Sequence, residues 1–206
     1  MATEPPKRRG RPPSGGREAI VRATLDLLRE RGVASVTSAK VSERAGVSEA
    51  SVYYHYTDKA GLLRAVLESG LQHLQALTDG QMAGGDDHET LATTAQAIED
   101  FLDQALPVVM AAQSDVKLRD ELASYMADHD LGPHRGVGTL GAYLAGEQAA
   151  GRIAAQVDPE AIAFLLVAGA FLRAAQRQIM GHAAQSLPTL EQTLAALDGQ
   201  LHHPGG

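Results

Sequence analysis

Apolar residues recur at helical spacing along most of the chain, and no alternating pattern typical of a strand interrupts them. In the first predicted helix, residues 17–31, Ile20, Ala23 and Leu27 fall on one face, and Gly32 ends the helix. Pro107 is placed at the start of the sixth helix, where a missing N–H does no harm. The pattern predicts an all-α protein of about nine helices. Beyond two short helices between residues 37 and 56, the others lie at about 58–78, 88–106, 107–128, 134–150, 158–180 and 188–200.

The two short helices between residues 37 and 56 have the features of a helix-turn-helix. Thr37 and Ser48 can cap them, because each side-chain oxygen can accept a bond from an unpaired backbone N–H. Gly46 lies between the helices and suits the left-handed conformation that a tight corner needs. A small apolar seam is available where the helices cross, formed by Val41, Ala45, Val47 and Val52.

The second short helix carries small residues in its first turn and aromatic hydroxyls in its second. A helix that enters the major groove needs little bulk where it meets base edges and donors where it passes phosphates. The order of side chains therefore indicates DNA recognition by Glu49, Ala50, Ser51, Tyr53, Tyr54 and His55.

These residues resemble the DNA-binding domain of the tetracycline-repressor (TetR) family of bacterial regulators. The resemblance covers about 50 of the 206 residues at fixed spacing and without gaps. The chain departs from the common family pattern at Ser42, Glu49, Ala60 and Gly61. The matching positions are Ile20, Ala23, Leu27, Arg31-Gly32-Val33, Thr37, Val41, Ala45 to Ser48, Val52 to Tyr56, Asp58-Lys59 and Leu62-Leu63.

The resemblance implies a homodimeric regulator, more often a repressor than an activator, that a small-molecule effector releases from its operator. It places Thr37, Tyr53 and Lys59 at phosphates, with Lys40 in the same DNA-binding surface. Glu49 has two interpretations: it accepts from a cytosine amino group, or it favours the helix N-terminus as an anion, which we prefer. The residues at or near the bases are Ser48, Ala50, Ser51, Tyr54 and His55.

The charge of the chain is unevenly distributed. Residues 1–64 hold 12 Lys and Arg against 7 Asp and Glu, whereas residues 65–206 hold 6 against 18. A basic N-terminal part on an acidic body fits nucleic-acid binding despite the overall charge of −7. The predicted domains are a disordered tail over 1–16, a DNA-binding domain over 17–64, and an effector-binding and dimerisation domain over 65–206.

The basic tail carries Arg8, Arg9 and Arg11 beside Gly and Pro, a run that resembles the core of an AT-hook. Arginines on an extended backbone can enter a narrow A·T-rich minor groove. The alternative is a solvated tail that adds only non-specific attraction to DNA.

Few residues indicate chemistry other than binding. The chain has no Cys, no signal-peptide pattern and no apolar run of the roughly 18 residues of a membrane span, which favours a cytoplasmic protein. No catalytic motif stands out, so neither an enzyme nor a cofactor is expected. Asp128, His129, Asp130 and His134 match no strong metal signature, and a polar helix end explains them better.

The body of the predicted fold can hold an effector between its helices, and the poor supply of aromatics favours a small or aliphatic one. The eighth helix is apolar all round at its start, so either a second copy of the chain or the body itself must cover it. Two rival functions stay open, namely a sequence-tolerant architectural DNA-binding protein and a small-molecule-binding or enzymatic α-bundle. The candidate effector contacts, each of which can also be plain core or surface, are Phe101, Met110, Gln113, Tyr125, His129 and Phe164.

Overall fold

The computed structural model of the chain describes residues 15–81, 87–181 and 187–201. Within these ranges the chain forms nine α-helices, one short 3-10 helix and no strand, which confirms the predicted all-α fold. The α-helices are α1 (Gly15–Arg31), α2 (Ser38–Ala45), α3 (Glu49–His55), α4 (Lys59–Gln81), α5 (Asp87–Ala112), α6 (Val116–Asp128), α7 (Pro133–Ala149), α8 (Pro159–Met180) and α9 (Leu190–Leu201), and the 3-10 helix is Val33–Ser35.

The corner between α2 and α3 forms as the sequence predicts. The Thr37 hydroxyl accepts from the backbone N–H of Lys40, and the Ser48 hydroxyl accepts from that of Ser51 at 3.1 Å. Gly46 ends α2 with φ 68° and ψ 30°, the left-handed conformation in which a Cβ is strained. These local bonds and the turn at Gly46 fix the angle at which α3 leaves α2.

The helix-turn-helix packs on a hydrophobic core that it shares with α1 and α4. Ile20, Val41, Val52 and Leu63 are fully buried, which packs α1, α2, α3 and α4 together. The same cluster continues onto α5 and α6 through Ala105, Val108, Ala112, Leu118 and Leu122. The N-terminal helices therefore rest on the rest of the molecule along one continuous apolar contact, with α4 as the central element.

The prediction that Pro107 begins a helix is wrong, because α5 runs through it from Asp87 to Ala112. A proline in a helix leaves the carbonyl four residues earlier without its usual donor. Here that carbonyl belongs to Asp103, and the Arg29 guanidinium of α1 donates to it at 2.7 Å. Val108, the next residue, is fully buried, so packing also holds the helix together there. The break comes later, where the Asp115 side chain caps α6.

The most apolar helix, α8, packs against α5 on one side and α7 on another. The predicted start of this helix is confirmed: Pro159 is its first residue, and Asp158 Oδ1 accepts from the N–H groups of Glu160 and Ala161. Gly181 ends it with φ 56°. Contrary to the expectation from the sequence, α8 is long and apolar enough to cross a membrane by length and composition, a test that core helices of soluble proteins also pass.

A partly buried ion network ties α8 to α5. Glu99 lies 2.7 Å from Arg173 Nε and 2.8 Å from Arg177 Nη1, and both Glu99 and Arg173 are about nine-tenths buried. Arg177 also binds the Asp103 carboxylate, at 3.0 Å. Because removing one partner would leave a buried charge unpaired, this network fixes α8 at one position along α5.

Candidate nucleic-acid interface

Helix α3 turns one face inward and the other to solvent. Val52 is 1% exposed, and Tyr56, just beyond the helix, is also buried. In contrast, Tyr53 is 56% exposed and Tyr54 81% exposed. The exposed side also contains Glu49 and Ala50, whereas Ser51 and His55 are partly covered. A short helix held from behind by apolar contacts therefore projects its polar residues outward, as groove recognition requires.

The two capping hydroxyls lie at the edge of this surface, and both are exposed. In each cap the oxygen of Thr37 or Ser48 accepts a backbone N–H, so the hydroxyl proton remains free to be donated. Lys40 is also exposed, two residues into α2. The start of α2 thus offers one hydroxyl and one ammonium to an incoming anion.

Lys59 begins α4 beside the same surface and is partly buried. Its ammonium donates to the carbonyl of Val33 at 3.1 Å, which holds the side chain in place. An ammonium has three protons, so two remain for a phosphate. Asp58 precedes it and accepts from the N–H of Gly61 at 2.7 Å, which confirms the predicted cap of this helix.

Ser38, which the sequence interpretation missed, connects two of the predicted DNA-binding residues. Its hydroxyl oxygen lies 2.6 Å from Glu49 Oε1 and 3.0 Å from the Tyr53 hydroxyl. Ser38 and Glu49 are each the first residue after a helix cap, at equivalent places on α2 and α3. The sequence signal for this contact was the matching position of the two residues, each directly after a capping residue of two helices joined by a tight corner.

A polar chain links the end of α3 to α6. Arg17 Nε donates to the Tyr56 hydroxyl at 3.1 Å, and its guanidinium lies 3.7 Å from Glu68. The other carboxylate oxygen of Glu68 accepts from the Tyr125 hydroxyl at 2.9 Å. Burial and this bond raise the pKa of Tyr125 to about 12. Residues from α1, α4 and α6 are therefore in direct contact behind the recognition helix.

The six candidate effector contacts do not lie in one place. Tyr125 and His129 stack on α6 with ring centroids 4.2 Å apart, and Phe101 of α5 packs against Gly70 of α4. Phe164 of α8 is 59% exposed and lies beside a shallow depression of about 450 Å³. The structure brings Tyr125 and His129 together, whereas Met110 lies near the C-terminal end of α5 and Gln113 just after it. As an effector site, the set stays a prediction.

The remaining candidates concern metals and the tail. Asp130 and His134 pair with each other at 2.9 Å, with Arg135 beside them, and these contacts lower the pKa of Asp130. Among the described residues, no group of three or more His, Asp or Glu side chains is placed to hold a metal. The tail arginines Arg8, Arg9 and Arg11 lie outside the residues that the structure describes.

The helix-turn-helix is also the part of the chain that known proteins share. Residues 20–66 match the family model described as bacterial regulatory proteins, tetR family. This part of the chain is a TetR-type DNA-binding domain. A segment of 52 residues is 44% identical to the class A tetracycline repressor of transposon 1721 from Escherichia coli, covering 25% of this chain and 24% of that repressor. The chain spans 24% of the length of this repressor and 59% of that of the Bacillus subtilis regulator YdeS, which is 32% identical over 121 residues.

The TetR-like architecture extends over nearly the whole chain. Salmonella enterica GusR superposes with a TM-score of 0.63 and 20% identity, covering 93% of this chain and 97% of GusR. Bacillus subtilis FadR, a transcriptional regulator described in complex with stearoyl-CoA, gives a TM-score of 0.61 and 15% identity, covering 90% and 99%. At these identities the likeness shows the fold alone.

Proposed function

We propose that this protein is a homodimeric transcriptional repressor of the TetR family that leaves its operator when a small-molecule effector binds. The observation that carries the proposal is the outward polar face of α3, held from behind by the buried Val52 and Tyr56. Such a helix needs two-fold repetition to read paired half-sites about one DNA turn apart. The proposal gives the protein a cytoplasmic location and no enzymatic activity.

The contacts to DNA divide into two groups. Thr37, Lys40, Tyr53 and Lys59 meet phosphates, because they are donors at the rim of the surface. The side chains that face the bases come from the first turn and the outer side of α3. They are Ser48, Ala50, Ser51, Tyr54 and His55.

The dimer is proposed to form through α8 and α9. Although α8 packs on α5 and α7, it keeps a row of large apolar side chains exposed on its other side, at Phe164, Leu165, Phe171, Leu172, Ile179 and Met180. The ion network to α5 supports a second copy as the cover and not a lipid bilayer, since charges near the bilayer centre are costly.

The effector is proposed to bind in the body and act through α6 and α4. That FadR is described with stearoyl-CoA supports an aliphatic ligand for this architecture. The bond from Tyr125 to Glu68 supports the route, since a shift of α6 moves a residue of α4 that also contacts α1. Coupling of two sites by about 1–3 kcal/mol is enough to change occupancy of an operator.

The test is selection of duplexes from a random library with the full chain, followed by footprinting on the DNA upstream of its own gene. We expect a two-fold symmetric consensus that also occurs in that upstream region. Binding without any preferred sequence would overturn the proposal in favour of the architectural alternative. Turnover of a small molecule without affinity for DNA would favour the α-bundle enzyme.

A further inference from the structure

The hydroxyl protons of Ser38 and Tyr53 can be assigned from their contacts. An ionised carboxylate only accepts hydrogen bonds, so the 2.6 Å contact with Glu49 uses the single proton of Ser38. The 3.0 Å contact between the Ser38 and Tyr53 oxygens then requires the proton of Tyr53. In the free protein both hydroxyl protons are therefore directed, one after the other, towards Glu49.

A DNA phosphate that binds Tyr53 competes with Glu49 for this pair of linked protons. Its oxygens accept hydrogen bonds from Ser, Thr and Tyr hydroxyls, and Tyr53 is among the proposed phosphate contacts. A phosphate and the Glu49 carboxylate are both anionic acceptors, so only one of them can be served by a given proton. Thr37 and Ser48 differ, because their hydroxyls accept backbone N–H groups and keep their own protons.

We propose that Glu49 is an internal competitor of the DNA backbone, which holds the hydroxyls of Ser38 and Tyr53 until a phosphate displaces it. The proposal rests on the proposed DNA-binding function and adds a residue that sets affinity. It also explains how an exposed carboxylate is accommodated in a surface that meets phosphates. Since phosphates are the same in every sequence, the competition lowers affinity for every sequence by the same factor.

The experiment measures the affinity of the full-length chain for a labelled random-sequence duplex at fixed salt. Glu49→Ala should bind this duplex about three- to tenfold more tightly than the wild type, the effect of about one net hydrogen bond. In a Ser38→Ala background Glu49 no longer holds the Tyr53 hydroxyl through Ser38. Glu49→Ala should then raise the affinity clearly less. Glu49 is exposed, and thermal unfolding of each variant checks that the fold is intact.

The matched control for charge is Glu43→Ala. Glu43 is an exposed carboxylate of α2 whose charge acts on Arg44. Its removal reports how much affinity rises when the domain simply loses one negative charge. The proposal is overturned if Glu49→Ala weakens binding, if its gain equals that of Glu43→Ala, or if the gain is unchanged without Ser38.

This outcome is separable from that of the proposed function. If the wild type selects no preferred sequence from a random library, specific regulation fails, while the cycle on the random-sequence duplex still tests the role of Glu49. If a consensus is found but the cycle shows no coupling between Glu49 and Ser38, only the competition fails.

Discussion

Glu68 of α4 accepts a hydrogen bond from Tyr125 of α6 at 2.9 Å, while its second carboxylate oxygen lies 3.7 Å from Arg17 of α1. The guanidinium of Arg17 in turn binds Tyr56, at the end of the recognition helix. One carboxylate thus contacts both the part of the molecule proposed to sense an effector and the part proposed to bind DNA. Its hydrogen bond to a phenol makes that contact testable by pH.

Tyr125→Phe should lower the free energy of unfolding by about 1 kcal/mol at neutral pH, because one hydrogen bond is lost. The folded state raises the pKa of Tyr125 to about 12, so the bond's contribution is complete below the ordinary value of about 10 and is lost as pH rises through about 12. Urea unfolding of both proteins at about pH 8 and about pH 11 measures this. The difference between them should shrink at the higher pH.

Tyr54→Phe provides the control for this measurement. Tyr54 is exposed, so the stability difference between this variant and the wild type should stay near zero at both pH values. A Tyr125→Phe difference that stays constant, or grows, at high pH would show that the phenol does not carry the bond as described.

Arg29→Ala should destabilise the wild type by about 1 kcal/mol, since it removes the donor that replaces the missing N–H of Pro107. In a Pro107→Ala background the restored N–H can bond the Asp103 carbonyl, so the same change should cost clearly less. A double-mutant cycle by urea unfolding measures the coupling. Equal losses in both backgrounds would contradict it, and Arg22→Ala, an exposed change on the same helix, is the control.

Lys59→Ala should weaken binding to all duplexes alike and reduce the slope of log affinity against log salt by about 1, because one phosphate contact is lost. His55→Ala should instead change the preferred base at one position of the consensus and leave the slope unchanged. Fluorescence anisotropy over a salt series, with consensus and single-substitution duplexes, separates the two effects. A change of preference in Lys59→Ala with unaltered affinity would reverse our assignment of these contacts.

Leu172→Asp should convert the protein from a dimer to a monomer of 21.7 kDa. Leu172 is 56% exposed on α8, so a charge there destabilises an interface between copies and leaves the core of each copy intact. Sedimentation at micromolar concentration measures the mass. Val116→Asp, at an exposed apolar position on α6, should stay dimeric. A wild type that already sediments as a monomer would rule out the proposed interface.

The features that could be predicted from the sequence are those that short stretches of chain decide. Thr37, Gly46 and Ser48 form their bonds within a few residues, so their types and spacing already indicate the corner and its caps. Asp158 followed by Pro159 marks a helix start for the same reason.

The features that could not be predicted depend on partners distant in sequence. Pro107 was expected to begin a helix because nothing nearby shows that Arg29, 74 residues before Asp103, supplies the missing donor. Phe164 stays a predicted effector contact, but the sequence does not indicate which side of α8 meets the body, because that helix is apolar on several sides. Only the packing of α8 against α5 and α7 leaves Phe164 on the exposed side.

Asp103 binds Arg29 of α1 through its main chain and Arg177 of α8 through its side chain. The main-chain oxygen cannot turn independently of α5, whereas the side chain projects radially from it. A rotation of α5 about its long axis therefore either breaks one of these hydrogen bonds or moves α1 and α8 together with it. Helix α5 therefore links the position of α8, the helix proposed to pair two copies, to that of α1, the first helix of the DNA-binding end.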